Sequence, residues 1–445
     1  MAESSFTPMG TGVEAEIAAA QAGGALPAAL QAPTRAVGIG FTAMLCLANV
    51  ALWLSMQPVA LILLPRQVET FVSKAQIADA LGLILGVGAF VSIFSNALAG
   101  AFSDRTTSRF GRRRPWLLLC SLLTAATLAL LANAPAIYVL VIGWGLYQLF
   151  ANGVLAALVA IVPDRVPEAQ RGSVSAFVGL ALPLAQVVGS VLIALVVTET
   201  HAGYYLLIAQ LLIIIGIFVF TQPDAPLPKG YMPPFKLWPF IKSFWIDPRR
   251  YPDFGWVWIT RFLVIFGYSA GTSLLYLYLQ FAIHLTNNAS KNGPSIGLGI
   301  VEVQLIAVGL LVVSSIIGGM LSDRFKRRKP FVMVSTALIA IALLSLGFFY
   351  AWPFVLAAAG VLGFGFGAYL AVDIALVTQV LPSAHDRGKD MGIFNIANAL
   401  PQSFAPIAAA FFLDHFNNSF AAVFIFAAAV TLLGALLVQP IKSVR

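Results

Sequence analysis

Three ionisable residues, Arg261, Glu302 and Asp373, stand inside long apolar stretches of a 445-residue chain that is 60% hydrophobic and only 10% charged. A charge in apolar surroundings is costly, and the few that persist there mark ion or substrate paths. Asp373 can bind and release a proton. Arg261 can keep a neighbouring carboxylate ionised or hold the oxygens of a substrate. Counted from the ends of their stretches at about 1.5 Å per helical residue, Arg261 lies ~9 Å deep and Asp373 ~12 Å. A paired charge is less expensive than a lone one, so the matching depths predict an Arg261–Asp373 ion pair. Two readings of that pair stand side by side: proton coupling or substrate anchoring, and a static tie between two helices. Glu302 lies near the end of its stretch, where it is either a second coupling acid or an ordinary wet carboxylate.

A second set of polar residues is spread over the same stretches: Trp53, Gln57, Gln148, Asn152, Gln186, Tyr268, Tyr276, Asn395, Asn398 and Gln402. Amides that bond in two directions, combined with flat aromatic faces, suit a neutral, polyhydroxylated small molecule such as a sugar. Any one of them also serves as an ordinary helix-packing residue. No nucleophile–base arrangement accompanies them, so enzyme chemistry is not expected. The four histidines show no metal spacing, no cofactor is implied, and the coupling ion expected is a proton. Cys46 and Cys120 read as small packing residues, since no disulfide framework is built from two cysteines inside apolar stretches. The glycine run GVLGFGFG at 360–367 superficially resembles a dinucleotide loop, but no strand precedes it, and close helix packing is the expectation. The triplets at 288–290 and 417–419 have the form of glycosylation acceptors.

The charges that remain are clustered. SDRTTSRFGRRRPW at 103–116 carries Arg105, Arg109, Arg112, Arg113 and Arg114, and SDRFKRRKP at 322–330 nearly repeats it.

The elements that must position these residues follow from the hydropathy, whose mean of +0.90 lies far above that of a soluble chain. Twelve apolar runs of roughly membrane-spanning length are read at 37–64, 76–103, 115–133, 136–162, 172–198, 203–221, 255–284, 297–321, 330–350, 353–381, 388–413 and 417–438. They do not alternate as barrel strands would, and backbone groups in lipid must be satisfied locally, so the expected fold is an all-α membrane protein of twelve helices. Residues 1–36 lack the basic start and apolar core of a signal peptide and read as a mobile tail.

Basic residues favour cytoplasmic loops. With the 104–114 loop inside, Lys and Arg divide into 22 cytoplasmic, three external (Arg66, Lys74, Lys291) and Arg261 in the membrane. Both termini are then cytoplasmic, and the basic pI of 9.6 is a topology signal with no bearing on nucleic acid. The two Ser-Asp-Arg triplets are 219 residues apart, as are Pro163 and Pro382, and the Leu-Pro pairs at 182–183 and 400–401 are 218 apart. Landmarks in one order at nearly one offset indicate a duplication. The expected organisation is a tail at 1–36, a six-helix bundle at 37–221, a cytoplasmic linker at 222–254 and a second bundle at 255–445. Runs three, six, nine and twelve carry almost no polar residues and should face lipid.

GAFSDRTTSRFGRRRPW at 100–116 resembles the signature between helices two and three of the major facilitator superfamily. Its expanded spacing, with PDRVPEAQRG at 163–172 and VDIALVTQVLP at 372–382, is most similar to the sucrose-type and glycoside–pentoside–hexuronide carriers. The resemblance covers about 37–440. It implies a carrier that rocks between two states, with helices one, four, seven and ten lining the cavity. It also implies that the knots, through Gly100, Asp104, Arg105, Gly111, Arg112 and Arg113, latch one state. Asp104 would approach the start of helix eleven, Arg112 or Arg113 would meet Asp164 or Glu168, and Asp323, beside Arg324, would approach helix five near Arg171. Topogenesis alone is the alternative role for the knots. Two departures bear on this: the second knot lacks a glycine matching Gly111, and Asn96 and Asn152 stand near places where cation-coupled melibiose-type members carry acids.

The function expected is proton-coupled symport of a sugar or glycoside by a monomer in the plasma membrane. A proton-coupled exporter is the alternative; the Leu182-Pro183 context lacks the Gly-Pro that exporters often carry. A transporter-like sensor is a remote third.

Overall fold

The computed structural model describes residues 33–197, 199–228, 252–286, 294–325, 328–380 and 387–441, with 27, 29, 31 and 235 besides. Twelve helices run in chain order: α1 Ile39–Phe71, α2 Ile77–Asp104, α3 Arg114–Ala132, α4 Ile137–Arg165, α5 Glu168–Val196, α6 Thr200–Thr221, α7 Pro252–Ala282, α8 Ile296–Phe325, α9 Arg328–Phe348, α10 Trp352–Val380, α11 Arg387–His415 and α12 Phe420–Leu436. Eleven are long and apolar enough to cross a membrane, and α12 is an apolar helix of 17 residues. No strand occurs among the described residues. Every expected run is a helix, with one consequential difference at the end of the first. That run stops at 64 in the sequence reading, whereas α1 continues to Phe71. Pro65 stands at the start of the added segment, where a missing N–H is tolerated.

The duplication is visible in the backbone. α1 contains a π-helical turn at Val59–Leu63 and α7 one at Tyr278–Ala282. They are 219 residues apart, the same offset as the two Ser-Asp-Arg triplets. The knots correspond in the same way. Arg114, opening α3, donates from Nε to the Gln222 carbonyl just past α6 at 2.8 Å, and Lys329, opening α9, donates to the Gln439 carbonyl past α12 at 3.2 Å.

Within each half the helices pack as two related sets: α2 on α4, α3 on α4 and α6, α1 on α5; then α8 on α10, α9 on α10 and α12, α7 on α11. α8 and α10 approach each other closely. A Cβ at Gly363 or Gly367 would run into the α8 backbone at Ala307 and Leu311, so the glycine run is a helix-packing surface. Both cysteines are free, with Cys120 buried.

The halves meet along α2–α11 and α5–α8. Both seams lie away from the basic loops. A Cβ on Gly82 would stand 2.9 Å from the Ala410 Cβ and 3.1 Å from the Pro406 carbonyl, and one on Gly297 would stand 2.9 Å from the Ala194 Cβ. At the other end, a Cβ on Gly100 of α2 or on Gly172 or Gly179 of α5 meets nothing within 4 Å. The α5–α8 seam is carried by Ala181–Val196, while Glu168–Gly179 packs on α1. Among the described residues, the packing that joins the two halves therefore lies toward the far face.

Candidate functional site

α7 and α10 run antiparallel in the second half, and their facing residues set the site. Arg261 is 7% exposed and Asp373 3%. Arg261 Nη1 bonds Asp373 Oδ2, and the buried Tyr369 hydroxyl donates to Asp373 Oδ1 at 3.1 Å. Seven residues further along each helix, Tyr268 stacks flat on Phe366, with ring centroids 3.7 Å apart. Two turns span about seven residues, so one face of each helix carries both contacts. The carboxylate therefore has one charged and one neutral donor in a dry seam. A proton on it would break the ion pair, and loss of Arg261 would strand a buried charge. Tyr369 is the residue that the sequence did not single out. Its spacing of four from Asp373, one turn along a helix, is the signal that could have found it.

The amides fall into two kinds. On α4, Asn152 donates to the Gln148 carbonyl at 2.8 Å and to its Oε1 at 3.2 Å, and Gln148 is buried against Gly88 of α2. This pair is engaged in packing. Gln57 of α1, Gln186 of α5 and Asn398 and Gln402 of α11 are partly exposed or exposed, and their side chains make no hydrogen bond among the described residues. Polar groups left open within membrane-spanning helices belong beside water or a ligand. Trp53 is half-buried on the α1 face four residues before Gln57. The Asn395 side chain lies outside the described residues. Tyr276 is buried at the far-face end of α7 and stands apart from these amides. Glu302 accepts from the Trp352 indole at 3.1 Å. That bond ties α8 to the start of α10 near the far face, so Glu302 does not share the Arg261–Asp373 site.

The first knot is an ionic cluster inside one half. Arg112 meets Asp164 Oδ1 at 2.6 Å. Arg113 meets Asp104 at 2.6 Å and Asp164 at 2.8 Å, and donates to the Ser103 hydroxyl at 2.9 Å. Burial alone would lower the Arg113 pKa, and the carboxylates of Asp104 and Asp164 more than offset it, so the guanidinium is held charged above its usual range. Of the two partners expected for these arginines, Asp164 takes both and Glu168 is exposed, because Asp164 ends α4 directly beneath the loop while Glu168 starts the next helix. Asp104 turns to Arg113. The side chains of the first turns of α11, and that of Asp323, lie outside the described residues. Arg171 donates to the Val166 and Pro163 carbonyls of its own half. Arg105 reaches back to the Ala101 carbonyl at 2.8 Å and lies over the Phe235 ring. Arg324 is exposed at the end of α8.

Sequence reading missed Asp224. Its carboxylate accepts from the Arg113 and Arg114 backbone N–H groups at 2.6 and 3.0 Å. It thereby caps α3 from outside, where helix N–H groups lack partners. Gly111, at φ +107°, makes room for it, since any side chain there would occupy the position of the Asp224 carboxylate. The counterpart turn at 326–327 lies outside the described residues.

The chain matches the Major Facilitator Superfamily over residues 39–312 and again over 295–442. No curated protein matches the sequence. Among solved structures, it is similar to a mutant of the nucleoside transporter NupG, with a TM-score of 0.71 and 13% identity over 89% of this chain and 99% of that one. It is also similar to a D-xylose–proton symporter, with a TM-score of 0.67 and 17% identity over 92% and 98%. A transporter of the POT family in complex with a thioalcohol-conjugated peptide gives 0.70 and 13% over 89% and 95%. At these identities the likeness speaks for the fold.

Proposed function

The chain belongs to the major facilitator superfamily and is a membrane transporter of small molecules, not an enzyme; from that premise we propose that it is a proton-coupled symporter of a sugar or glycoside. The observation that carries the reading is the buried Asp373, held between Arg261 and Tyr369 on helices that the superfamily uses to line its path. Pairing with Arg261 favours the charged form relative to the unpaired carboxylate. When substrate competes for Arg261, or the helices part during the cycle, the neutral acid is favoured and a proton is taken up. Proton affinity then follows conformation, as coupling requires. The open amides of Gln57, Gln186, Asn398 and Gln402, with Trp53 and the Tyr268 face, supply the hydrogen bonds and flat surfaces that a polyhydroxylated ring needs. A D-xylose–proton symporter among the similar folds is compatible with that class, while nucleoside and peptide carriers stand beside it.

The basic face is assigned to the cytoplasm, with both termini there, in the plasma membrane, and the working unit is a monomer. On that assignment, halves joined at the far face fit an inward-open carrier. The knots act as a latch of the opposite state, with Asp104, Asp164, Arg112 and Arg113 pre-formed as a block that docks on the other half when the basic face shuts.

The test is uptake of a panel of radiolabelled mono- and disaccharides into proteoliposomes, with and without an inward proton gradient. Wild type should accumulate at least one sugar only with the gradient. Asp373→Asn should lose accumulation while keeping exchange. Gradient-driven accumulation in Asp373→Asn at the wild-type level would refute the assignment of Asp373.

A further inference from the structure

Asp373 has two oxygens, and the fold gives them different partners. Oδ2 meets Arg261 Nη1 across the seam to α7. Oδ1 accepts from the Tyr369 hydroxyl at 3.1 Å, one turn back on the same helix. The first bond joins two helices and is lost when they part. The second lies within α10 and travels with Asp373. Tyr369 is fully buried. Phe366, a turn further back, lies alongside its ring at 20°, with centroids 6.4 Å apart, and is itself stacked on Tyr268 of α7. Packing of this kind holds the phenol in place with its hydroxyl on Asp373. α8 and α9 also pack on α10, and among the described residues neither brings a charged or titratable group to Asp373.

We propose that Tyr369 is the positioning residue of the coupling site: by holding Oδ1 it reserves Oδ2 for either the Arg261 guanidinium or the proton, and never for both. A carboxyl free to turn takes a proton on one oxygen while the other stays against Arg261, and the ion pair then survives protonation. With a donor fixed on Oδ1, the proton goes to Oδ2, where its O–H confronts the Arg261 N–H. A proton on Oδ1, donated to the phenol oxygen, would instead leave the phenol hydrogen without an acceptor, since Tyr369 has no other hydrogen-bond partner among the described residues. One O–H bond forms from a solvent proton, and Arg261 keeps all its own protons. The guanidinium is displaced and becomes available to a substrate oxygen. Tyr369 also sets the proton affinity, because a hydrogen bond to a carboxylate is roughly twice as strong as one to a neutral acid. The proposal rests on the reading of Asp373 as the coupling acid, and it adds what makes proton and guanidinium exclude each other.

The test reads the carboxyl itself, without substrate. The full-length protein in lipid is titrated from about pH 4 to about pH 9, and infrared difference spectra follow the carbonyl stretch of a protonated carboxyl. The band that belongs to Asp373 is the one missing in Asp373→Asn. Wild type should gain this band as pH falls. In Tyr369→Phe it should lie at higher frequency, because the Oδ1 carbonyl has lost its donor. Its midpoint should rise by ~1 pH unit, a tenfold gain in proton affinity. Replacing Tyr369 by 3-fluorotyrosine, whose hydroxyl is a stronger donor, should move frequency and midpoint the other way. A Tyr369→Phe band at the wild-type frequency and midpoint overturns the proposal; where Tyr369→Phe does not fold, an unmoved 3-fluorotyrosine spectrum does so. A wild type with no Asp373-dependent band would instead overturn the reading of Asp373 as the coupling acid, and this proposal with it.

Discussion

Removing Arg261 should damage the protein more than removing Arg261 and Asp373 together. Asp373 is 3% exposed and has two partners, the Arg261 guanidinium and the Tyr369 hydroxyl. In Arg261→Ala a charged carboxylate is left with one neutral donor. Breaking a buried pair from one side typically costs about 3–5 kcal/mol. In the double change Arg261→Ala with Asp373→Ala the stranded charge is gone, and what remains is lost packing and a Tyr369 hydroxyl without its acceptor, worth about 1–3 kcal/mol. For a folding unit the size of one half, each kcal/mol moves the melting temperature by ~2–4 °C. The single change should therefore lower the apparent melting temperature in detergent by about 6–20 °C, and adding the second change should recover part of the loss. Arg261→Lys should fall between wild type and Arg261→Ala, because it keeps the charge and loses the planar fork. The assay is thermal unfolding of wild type, Arg261→Ala, Asp373→Ala, the double mutant and Arg261→Lys, followed by size-exclusion chromatography of the heated samples. A double mutant less stable than wild type by the sum of the two single-mutant losses would mean that the two residues do not interact, and the coupling argument built on them would fail with it.

Asp104→Asn should lower transport turnover with little loss of folded protein, since Asp104 is partly exposed and Arg113 keeps Asp164 and Ser103; unchanged turnover would leave the knot a topology signal only. Arg113→Ala should reduce the yield of folded protein more than Asp104→Asn, because it strands Asp104 and leaves Asp164 to Arg112 alone, and equal yields would contradict the cluster. Gly82→Val should disfavour the state shut at the far face, since the added Cβ would stand 2.9 Å from the Ala410 Cβ. Labelling of an engineered cysteine in the α2–α11 seam should rise with that change, and labelling at the wild-type rate would count against the geometry. Cysteines placed in the 222–254 segment should resist impermeant reagents applied outside intact cells, and ready labelling would reverse the orientation.

Spacing and hydropathy determined the twelve helices and the duplication, because a helix in lipid must satisfy its own backbone and must be long enough to cross. They also pointed to the Arg261–Asp373 pair: two isolated charges at matching depths have few partners to choose from, and leaving either alone is expensive. Which acid takes the arginines of the knot was open in the sequence, as was the inward reach of Asp224 from beyond α6, because contacts over fifty to a hundred residues depend on how helix ends are brought together. The amides show the same limit. Gln148 and Gln57 are alike by type and setting, yet packing against Gly88 buries one and leaves the other open. The reach of α1 to Phe71 was hidden for a different reason. Pro65 and Arg66 end the apolar run, but a proline at the start of a turn does not end a helix. Only the tertiary structure carries that helix on and sets its π turn against Leu275–Leu277 of α7, since a contact between two halves of a moving protein belongs to one of its states and not to either helix alone.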